Sequence, residues 1–317
     1  MSALPLELIR GLHNIRPHHR GNIVTIGSFD GVHLGHRAVL DLTAKVAKRE
    51  NAPLGVLTFE PHPREYFNAE APTFRLMNAN AKAHRLEKLG IEQLYQINFN
   101  AALASLSPRE FARDVIAEGL GIKHVLVGHD FCFGAKRAGN VEMLRNLGAE
   151  LGFGVTIVPL LETDGIVVSS TAIRRALSEG RPEEATRMLG HYHRIEGEVI
   201  TGDARGRDLG FPTANMSLAG LHQPKFGIYA VLVDVLSGPH QGSYHGVASL
   251  GERPTFGKNV PNLETFLFDF SGDLYGAELS IALVAFQRPE LKFDGIEPLI
   301  AQMNEDSLEA RRIIAAL

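Results

Sequence analysis

A glycine-rich turn with two histidines is the first group of residues whose types and spacing could do chemistry. The segment GSFDGVHLGH, residues 27–36, follows a β-branched run and opens a helical pattern. Its glycines let the backbone approach a ligand closely, and a helix start offers N–H groups and a positive dipole end to phosphate. His33 and His36 are three residues apart and can face the same anion. The pattern suits transfer of a nucleotidyl group, in which charge growing on the α-phosphate must be stabilised.

The histidine pair also fits a metal site or a solvated helix start, and spacing alone leaves these interpretations open. A Walker A phosphate loop is excluded. Its nearest approach, Gly251 to Lys258, has one residue too many between the glycines and is followed by Asn259. If the turn binds a nucleotide, the candidate contacts beside the histidines are Gly27, Phe29, Asp30, Gly31 and Gly35.

Two later segments are candidates for the same phosphate chemistry. Ser169, Ser170 and Thr171 place hydroxyls at an expected helix N-cap, and Arg174 lies one turn further on. A capped helix with a surface arginine is an equally good interpretation of that segment. The loop 128–137 follows a buried strand and carries the candidate residues Asp130 and Arg137. Core packing of its phenylalanines is the alternative, and for Cys132 we favour a packing role.

A second chemical group lies in the glycine- and arginine-rich stretch 202–215. It is too charged for a core strand, so we expect a mobile loop in which main-chain N–H groups and arginines meet phosphate. Thr213 and Asn215 offer the hard oxygen ligands that Mg²⁺ prefers. A surface loop with solvated arginines is the alternative. The candidate phosphate contacts are Gly202, Arg205, Gly206, Thr213 and Asn215.

The elements that position the first group alternate between strand and helix. Val39, Leu42 and Val46 recur at helical spacing after the first strand, and Ser107 to Glu110 form a capping box with proline at the first helical position. This rhythm predicts a parallel, Rossmann-like sheet domain. The expected strands are Ile23–Ile26, Leu54–Phe59, Leu94–Ile97, His124–Val127 and Val155–Val158.

From about residue 192 the pattern changes to long strands joined by turns, which predicts an antiparallel β-barrel or sandwich with a C-terminal helix from about Ile296. A short helix from Pro182 to a C-cap at Gly190 marks the seam. We therefore assign domains to residues 1–186 and 187–317. The expected strands are Arg194–Ile200, Ile228–Leu236, Tyr244–Leu250, Leu263–Phe270 and Leu279–Phe286.

Composition narrows the class of protein. The 317 residues, 44% hydrophobic and 21% charged, are enough for two globular domains. A net charge of −4 disfavours binding to nucleic acid or to an anionic membrane. A single cysteine and the lack of a signal-like or membrane-length apolar run predict a cytoplasmic protein.

Four segments of the first half, in order, resemble the FAD synthetase half of the prokaryotic bifunctional riboflavin kinase/FAD synthetase family. They are GSFDGVHLGH, TFEPHP (58–63), GHDFCFG (128–134) and SSTAIR (169–174). The resemblance implies that His33 and His36 stabilise the transferring α-phosphate of ATP. It also implies that Ser169, Ser170, Thr171 and Arg174 hold the β- and γ-phosphates. Asp130 stands where many relatives carry asparagine.

The second half is similar to the riboflavin kinase half of that family. The matching segments are GFPTAN (210–215), KFGIYAV (225–231), GVASLGERPTF (246–256) and LETFLFDFSGDLYG (263–276). The resemblance assigns Thr213 and Asn215 to Mg-ATP and Glu264 to general-base work on the ribityl 5′-hydroxyl. Glu264 is also the polar exception in an apolar strand. Ser249 replaces a common asparagine, so we assign it no role, and we place Asp269 and Asp273 in a hairpin turn.

Together these resemblances imply phosphorylation of riboflavin to FMN and adenylylation of FMN to FAD. ATP, riboflavin, FMN and FAD are then substrates or products, Mg²⁺ accompanies ATP, and no nucleic-acid or membrane partner is expected. Two alternatives are an adenylyltransferase with a single activity, against which GFPTAN and Glu264 argue, and a nucleic-acid-associated protein. The latter would bind RNA with a steep salt dependence.

Overall fold

The computed structural model describes residues 5–68, 70, 72–159, 162–163, 166–202, 210–253 and 260–317. By their contacts they divide into two compact units. The N-terminal unit comprises Met1–Ala71 and Lys82–Val168, and the C-terminal unit comprises Pro72–Ala81 and Ser169–Leu317. None of the described helices is long and apolar enough to cross a membrane.

A six-stranded parallel sheet forms the centre of the N-terminal unit. Its strands are β1 (Glu7–Arg10), β2 (Ile23–Ile26), β3 (Leu54–Glu60), β4 (Gln93–Asn98), β5 (His124–Gly128) and β6 (Gly154–Val158). They lie in the order β1-β4-β3-β2-β5-β6. All four residues of β2 are buried, as expected for a central parallel strand covered on both faces.

Helices connect these strands, and their ends follow local sequence chemistry. The helices are α1 (Leu34–Glu50), α2 (Pro63–Phe67), α3 (Ala79–Lys88, in this unit from Lys82), α4 (Ala101–Ser105), α5 (Pro108–Glu110), its wider π-type continuation Phe111–Leu120, and α6 (Val141–Leu151). The expected capping box is confirmed: the Ser107 hydroxyl accepts from the Glu110 N–H, and the Glu110 carboxylate accepts from the Ser107 N–H. A short antiparallel pair, β7 (Glu162–Thr163) and β8 (Ile166–Val167), follows β6.

The described residues of the C-terminal unit form a six-stranded antiparallel sheet and three helices. The helices are α7 (Ser170–Ser178), α8 (Pro182–Leu189) and α9 (Ile296–Ala315). The strands are β9 (His193–Glu198), β10 (Thr213–Ser217), β11 (Gly227–Val235), β12 (Gly242–Arg253), β13 (Val260–Leu267) and β14 (Glu278–Arg288). They lie in the order β10-β13-β12-β11-β14-β9, and an Ile200 to Asn215 bridge joins the two edges.

Each face of this sheet has its own core. Alternate residues such as Met216, Val231 and Leu263 point to the interior cluster, while Ala230 and Phe268 lie on the opposite face. The C-terminal helix α9 packs on that outer face through its buried Ala310 and Ile314. The helix therefore covers one part of the outer face, and the polar residues of β10 and β13 occupy another part.

Most of the strand predictions are confirmed, and one expectation is wrong. Thr213 to Asn215, expected in a mobile loop, form the start of strand β10. Ala214 and Met216 pack in the interior core. This short segment of alternating buried and polar residues therefore forms a strand, although a glycine and a proline precede it. The four-residue strand β1 was not expected from the sequence. Helices α7 and α8 cluster with the C-terminal unit, and the assigned boundary between residues 186 and 187 stays a prediction.

Stability of the C-terminal unit should depend on His193. Burial, and then the neighbouring His222 and His191, lower the pKa of His193 to about 3. The unfolded chain binds this proton more tightly, so stability is lost as pH falls from about 6.5 towards 3, by about 2 kcal/mol between pH 7 and 5. Amide hydrogen exchange of β9, corrected for intrinsic rates, measures this loss. It should shrink in His193→Gln and persist in His245→Gln, an exposed control.

Candidate functional site

The glycine-rich turn lies at the point where the order of the parallel sheet reverses. Strand β2 has β3 on one side and β5 on the other. The chain leaves the carboxyl end of β2 towards β3, and it leaves the carboxyl end of β5 in the opposite direction, towards β6. The turn 27–33 follows β2, and the loop 128–137 follows β5. Ligands of open α/β sheets bind in the crevice at such a switch point.

The backbone of this turn is strained. Phe29 and Val32 are buried and adopt left-handed conformations, with φ of 49° and 43°. Such a conformation is rare for a bulky residue and an outlier for a β-branched one. Gly31, with φ of 85°, adopts the same region at little cost. Strain of this kind persists where the surrounding structure imposes it, and it concentrates at functional sites.

His33 and His36 form a stacked pair at the start of α1. Their ring centroids are 3.7 Å apart, with an angle of 15° between the ring planes. His33 is the N-cap of α1, and its Nδ1 accepts the backbone N–H of His36 at 3.2 Å. A side chain at Gly35 would stand 3.1 Å from the His33 ring, so glycine makes room for the pair.

Both histidine rings are neutral, and each has one N–H group that can donate a hydrogen bond. Because Nδ1 of His33 accepts a hydrogen bond, its ring proton is on Nε2. Burial is the largest cause that holds the pKa of His36 well below its usual range, and the positive charge of Lys82 lowers it further. Nδ1 of His36 is buried and has no hydrogen-bond partner in the part of the chain that the structure describes. A polar atom in that position is suited to meet an oxygen of a bound ligand.

Lys82 joins this centre and was not singled out from the sequence. It lies on α3 with only 5% of its surface exposed. Its Nζ donates to Oγ1 of Thr58 at 3.4 Å, and that hydroxyl donates to the backbone oxygen of Ser28, in the glycine-rich turn, at 3.4 Å. Burial is the signal that reveals Lys82, and burial depends on the tertiary fold.

The loop after β5 has a mixed character. Phe133 is buried in the core and stacks with Phe131 at 5.7 Å. Asp130 and Arg137 are exposed, and Arg137 has a left-handed φ of 57°. The phenylalanines therefore pack as the alternative interpretation expected, while the two polar side chains project from a loop at the switch point.

The hydroxyl-rich segment at 169–171 starts helix α7 as expected. Ser169 is the N-cap, and its Oγ accepts the N–H of Ala172 at 3.2 Å. Arg174 donates through Nε to the backbone oxygen of Phe74, and its guanidinium lies 5.2 Å from the centroid of that ring. These contacts belong to the C-terminal unit.

In the C-terminal unit, the predicted kinase residues share the outer face of the sheet. Asn215 on β10 pairs with Glu264 on β13, which pairs with Ser249 on β12. Thr213 lies two residues before Asn215 and on the same face. A hydroxyl, a carboxamide oxygen and a carboxylate thus stand together on this face. Such a set of hard oxygen donors fits Mg²⁺.

Asn262 connects two members of this row and was missed in the sequence. It is buried, and its Nδ2 donates to Oδ1 of Asn215 at 3.0 Å and to Oε1 of Glu264 at 3.4 Å. Nearby, burial, and then the charges of Glu252 and Glu264, raise the pKa of Glu290. The only signal for Asn262 in the sequence was its position two residues before Glu264, which places both on one face of a strand.

A mostly apolar cavity of about 320 Å³ opens beside Thr213. It lies where β10 begins and where the β13 to β14 turn folds back. Its lining includes Leu267, Phe270, Asp273 and Tyr275. Gly202 is described and partly buried, whereas Arg205 and Gly206 lie outside the described residues.

A cluster of Glu7, His18 and His19 has the side chains of a metal site but not its hydrogen bonding. Nδ1 of His19 accepts the backbone N–H of Arg16 at 3.0 Å, so the ring proton is on Nε2, which donates to Glu7 at 2.8 Å. A metal at Nε2 would need the opposite tautomer. The bond to His19 is the main cause that lowers the pKa of Glu7.

Comparison with known families divides the chain in two. The FAD synthetase family matches residues 15–172, and the riboflavin kinase family matches residues 189–314. Bifunctional riboflavin kinase/FMN adenylyltransferases match nearly the whole length. The protein from Pseudomonas fluorescens is 40% identical over 98% of each chain, and that from Escherichia coli K12 is 38% identical over 96% of this chain and 97% of its own.

A solved structure shares the fold of both units. The crystal structure of a macrolide-efflux protein from Streptococcus pneumoniae has a TM-score of 0.81 and 30% identity, and the match covers 97% of this chain and 99% of that one. The two family matches describe the two halves of this chain.

The role of Asn262 can be tested through stability. Asn262→Ala should lower the free energy of unfolding of the C-terminal unit by about 1 to 3 kcal/mol, because a buried Asn215 oxygen loses a donor. Hydrogen exchange of β10 and β13 measures the change. Asn304→Ala, on the exposed face of α9, should stay within about 0.5 kcal/mol of wild type. An equal loss in the two variants would contradict the bridging role.

Proposed function

The chain belongs to the family of bifunctional riboflavin kinase/FMN adenylyltransferases, and we propose that its two reactions are divided between its two units. The N-terminal unit adenylylates FMN at the glycine-rich turn, and the C-terminal unit phosphorylates riboflavin around Glu264. The stacked His33 and His36 at the start of α1 are the observation that carries the first assignment. The second assignment rests on the pairing of Asn215 with Glu264 and on the Asn262 side chain, which donates to both of them.

In the first reaction, a phosphate oxygen of FMN attacks the α-phosphorus of ATP, and the bond to pyrophosphate breaks. The attacking oxygen is already anionic, so no base is needed. His33 and His36 donate N–H groups to the α-phosphate oxygens as their charge grows, together with the N–H groups at the start of α1. For Ser169, Ser170, Thr171 and Arg174 we propose phosphate binding, supported by the family pattern and the hydroxyl-capped start of α7.

Further contacts of the first site come from the remaining residues of the two loops at the switch point. In the strained turn, the backbone can come close to the nucleotide. The exposed loop after β5 provides a carboxylate and a guanidinium group. The proposed contacts are Gly27, Phe29, Asp30, Gly31, Gly35, Asp130 and Arg137.

In the second reaction, the ribityl 5′-oxygen of riboflavin bonds to the γ-phosphorus of ATP, and the bond to ADP breaks. Glu264 accepts the proton of the attacking hydroxyl. Thr213 and Asn215 would hold Mg²⁺, which neutralises phosphate charge when it is bound. The cavity beside Thr213 is apolar and large enough for an adenine, so we place the base of ATP there. Gly202, Arg205 and Gly206 complete the proposed phosphate contacts.

We also propose a domain boundary between residues 186 and 187 and a cytoplasmic location. The assigned division at residues 186 and 187 is supported by the family matches, which leave residues 173–188 between them. A cytoplasmic location is supported by the single cysteine, which fits a reducing compartment. The substrates and products are riboflavin, FMN, FAD and ATP. Nucleic-acid binding is not expected at a net charge of −4.

Two variants should separate the reactions within one chain. His36→Phe keeps a ring but removes the N–H donor, so FAD formation from FMN should fall about 10²-fold or more, while FMN formation from riboflavin is unchanged. Glu264→Gln should lower FMN formation by about 10² to 10⁴ and leave FAD formation from supplied FMN intact. Chromatography of the flavins, with identification of ADP or pyrophosphate, measures both. Glu264→Gln with full kinase activity would refute the second assignment.

The adenine position has its own test. Tyr275→Ala should raise KM for ATP in the kinase reaction by about tenfold, because aromatic contact with a base contributes roughly 1 to 3 kcal/mol. The KM for ATP in FAD formation by the same variant serves as the matched control and should not change. A shift in both values, or in neither, would argue against adenine in this cavity.

A further inference from the structure

The histidine pair at the start of α1 brings little charge to a site that must bind several negative charges. His33 accepts the helix-capping N–H through Nδ1, which leaves no place for a second ring proton. His36 is held neutral by burial and by nearby positive charge. ATP and the phosphate of FMN both bring anionic oxygens. Their charge must therefore be balanced by groups other than these two rings.

Lys82 is placed to provide that balance. Its side chain is 5% exposed, and lysine is rarely buried to this degree. The hydrogen bond to Thr58, which in turn contacts Ser28, shows that the ammonium group lies close to the glycine-rich turn. The charge of Lys82 reaches His36, since it contributes to lowering the pKa of that ring.

We infer that Lys82 is a buried cation of the FMN-adenylylating site, in addition to the proposed Arg137 and Arg174, and that it binds the phosphate oxygens on which charge grows during transfer. This inference rests on the proposed function of the N-terminal unit. His33 and His36 supply directed, neutral donors, and Lys82 adds a positive charge beside them. The positive charge of Lys82 keeps the ring of His36 neutral, with one N–H left to donate, because two adjacent cations in a buried site would repel each other.

A purely structural role for Lys82, as the donor that holds Thr58, makes different predictions. Lys82→Gln keeps an N–H donor without the charge, and Lys82→Met removes both. Lys82→Arg keeps the charge. Thr58→Val removes the hydrogen-bond partner but leaves the lysine. Lys88→Met changes an exposed lysine of the same helix and is the matched control.

The experiment compares kcat and KM for FAD formation from FMN and Mg-ATP in the full chain. If Lys82 acts through its charge, kcat should fall about 10²-fold in both Lys82→Gln and Lys82→Met. Lys82→Arg should recover at least tenfold of that loss, while Thr58→Val and Lys88→Met stay within about threefold of wild type. The kinase reaction should be unchanged in every variant, which reports that the C-terminal unit is folded, and hydrogen exchange of β2 and β3 should match wild type if the N-terminal unit is folded.

A second readout follows the histidine itself. The pKa of His36, measured by NMR, should rise in Lys82→Gln and Lys82→Met and stay unchanged in Thr58→Val. Lys82→Gln with near wild-type kcat and an unshifted His36 would overturn the inference, as would a loss in Thr58→Val equal to that in Lys82→Met. A wild-type chain that forms FMN but no FAD would instead overturn the proposed function of the N-terminal unit, and the role of Lys82 with it.

Discussion

The hydrogen bond from the His36 backbone to Nδ1 of His33 organises the N-terminal site. It satisfies one of the N–H groups that every helix leaves without a partner at its start. It also determines which nitrogen of His33 carries the proton, and it holds the two rings in a stack. The two rings lie beside the strained backbone of Phe29 and Val32. Gly35 leaves space for the His33 ring because it has no side chain. One local contact thus couples the start of a helix to the chemistry of a phosphate site.

The C-terminal site depends on a related constraint, the need to satisfy buried polar groups on a sheet. Asn215 is buried, and Asn262 provides a donor for its side-chain oxygen. The same amide reaches Glu264, so a single side chain orients a carboxamide and a carboxylate. The opposite face of these strands contributes mostly apolar side chains, such as Ala214, Met216 and Leu263, to the interior core. Rigid strands hold the donors, and the alternation of the two faces separates the chemistry from the core.

The two units place their sites according to different rules of sheet architecture. In the parallel sheet, the loops after β2 and β5 meet because the strand order reverses between them. In the antiparallel sheet, neighbouring strands bring Asn215, Glu264 and Ser249 into one row. Helix α9 covers another part of that face through Ala310 and Ile314. Loops carry the chemistry in the first unit, and strand faces carry it in the second.

Features that depend only on neighbouring residues were predictable from the amino-acid sequence. They include the capping box at Ser107, the N-cap at Ser169 and the C-cap at Gly190. Helix capping depends on adjacent side chains and on the ability of glycine to adopt the left-handed conformation. The buried run of β2 and the motif carrying His33 and His36 were equally visible.

Contacts between residues that are distant in the sequence became visible in the folded structure. Thr213 to Asn215 became a strand because β13 was available to pair with it, which no local propensity could show. Asn262 acquired its bridging role from that same pairing. In the sequence, Lys82 is indistinguishable from the other lysine of its amphipathic helix. In the folded structure it is buried and donates to Thr58. Burial and strand pairing are non-local, since they depend on how the whole chain packs, and that is why the sequence did not reveal them.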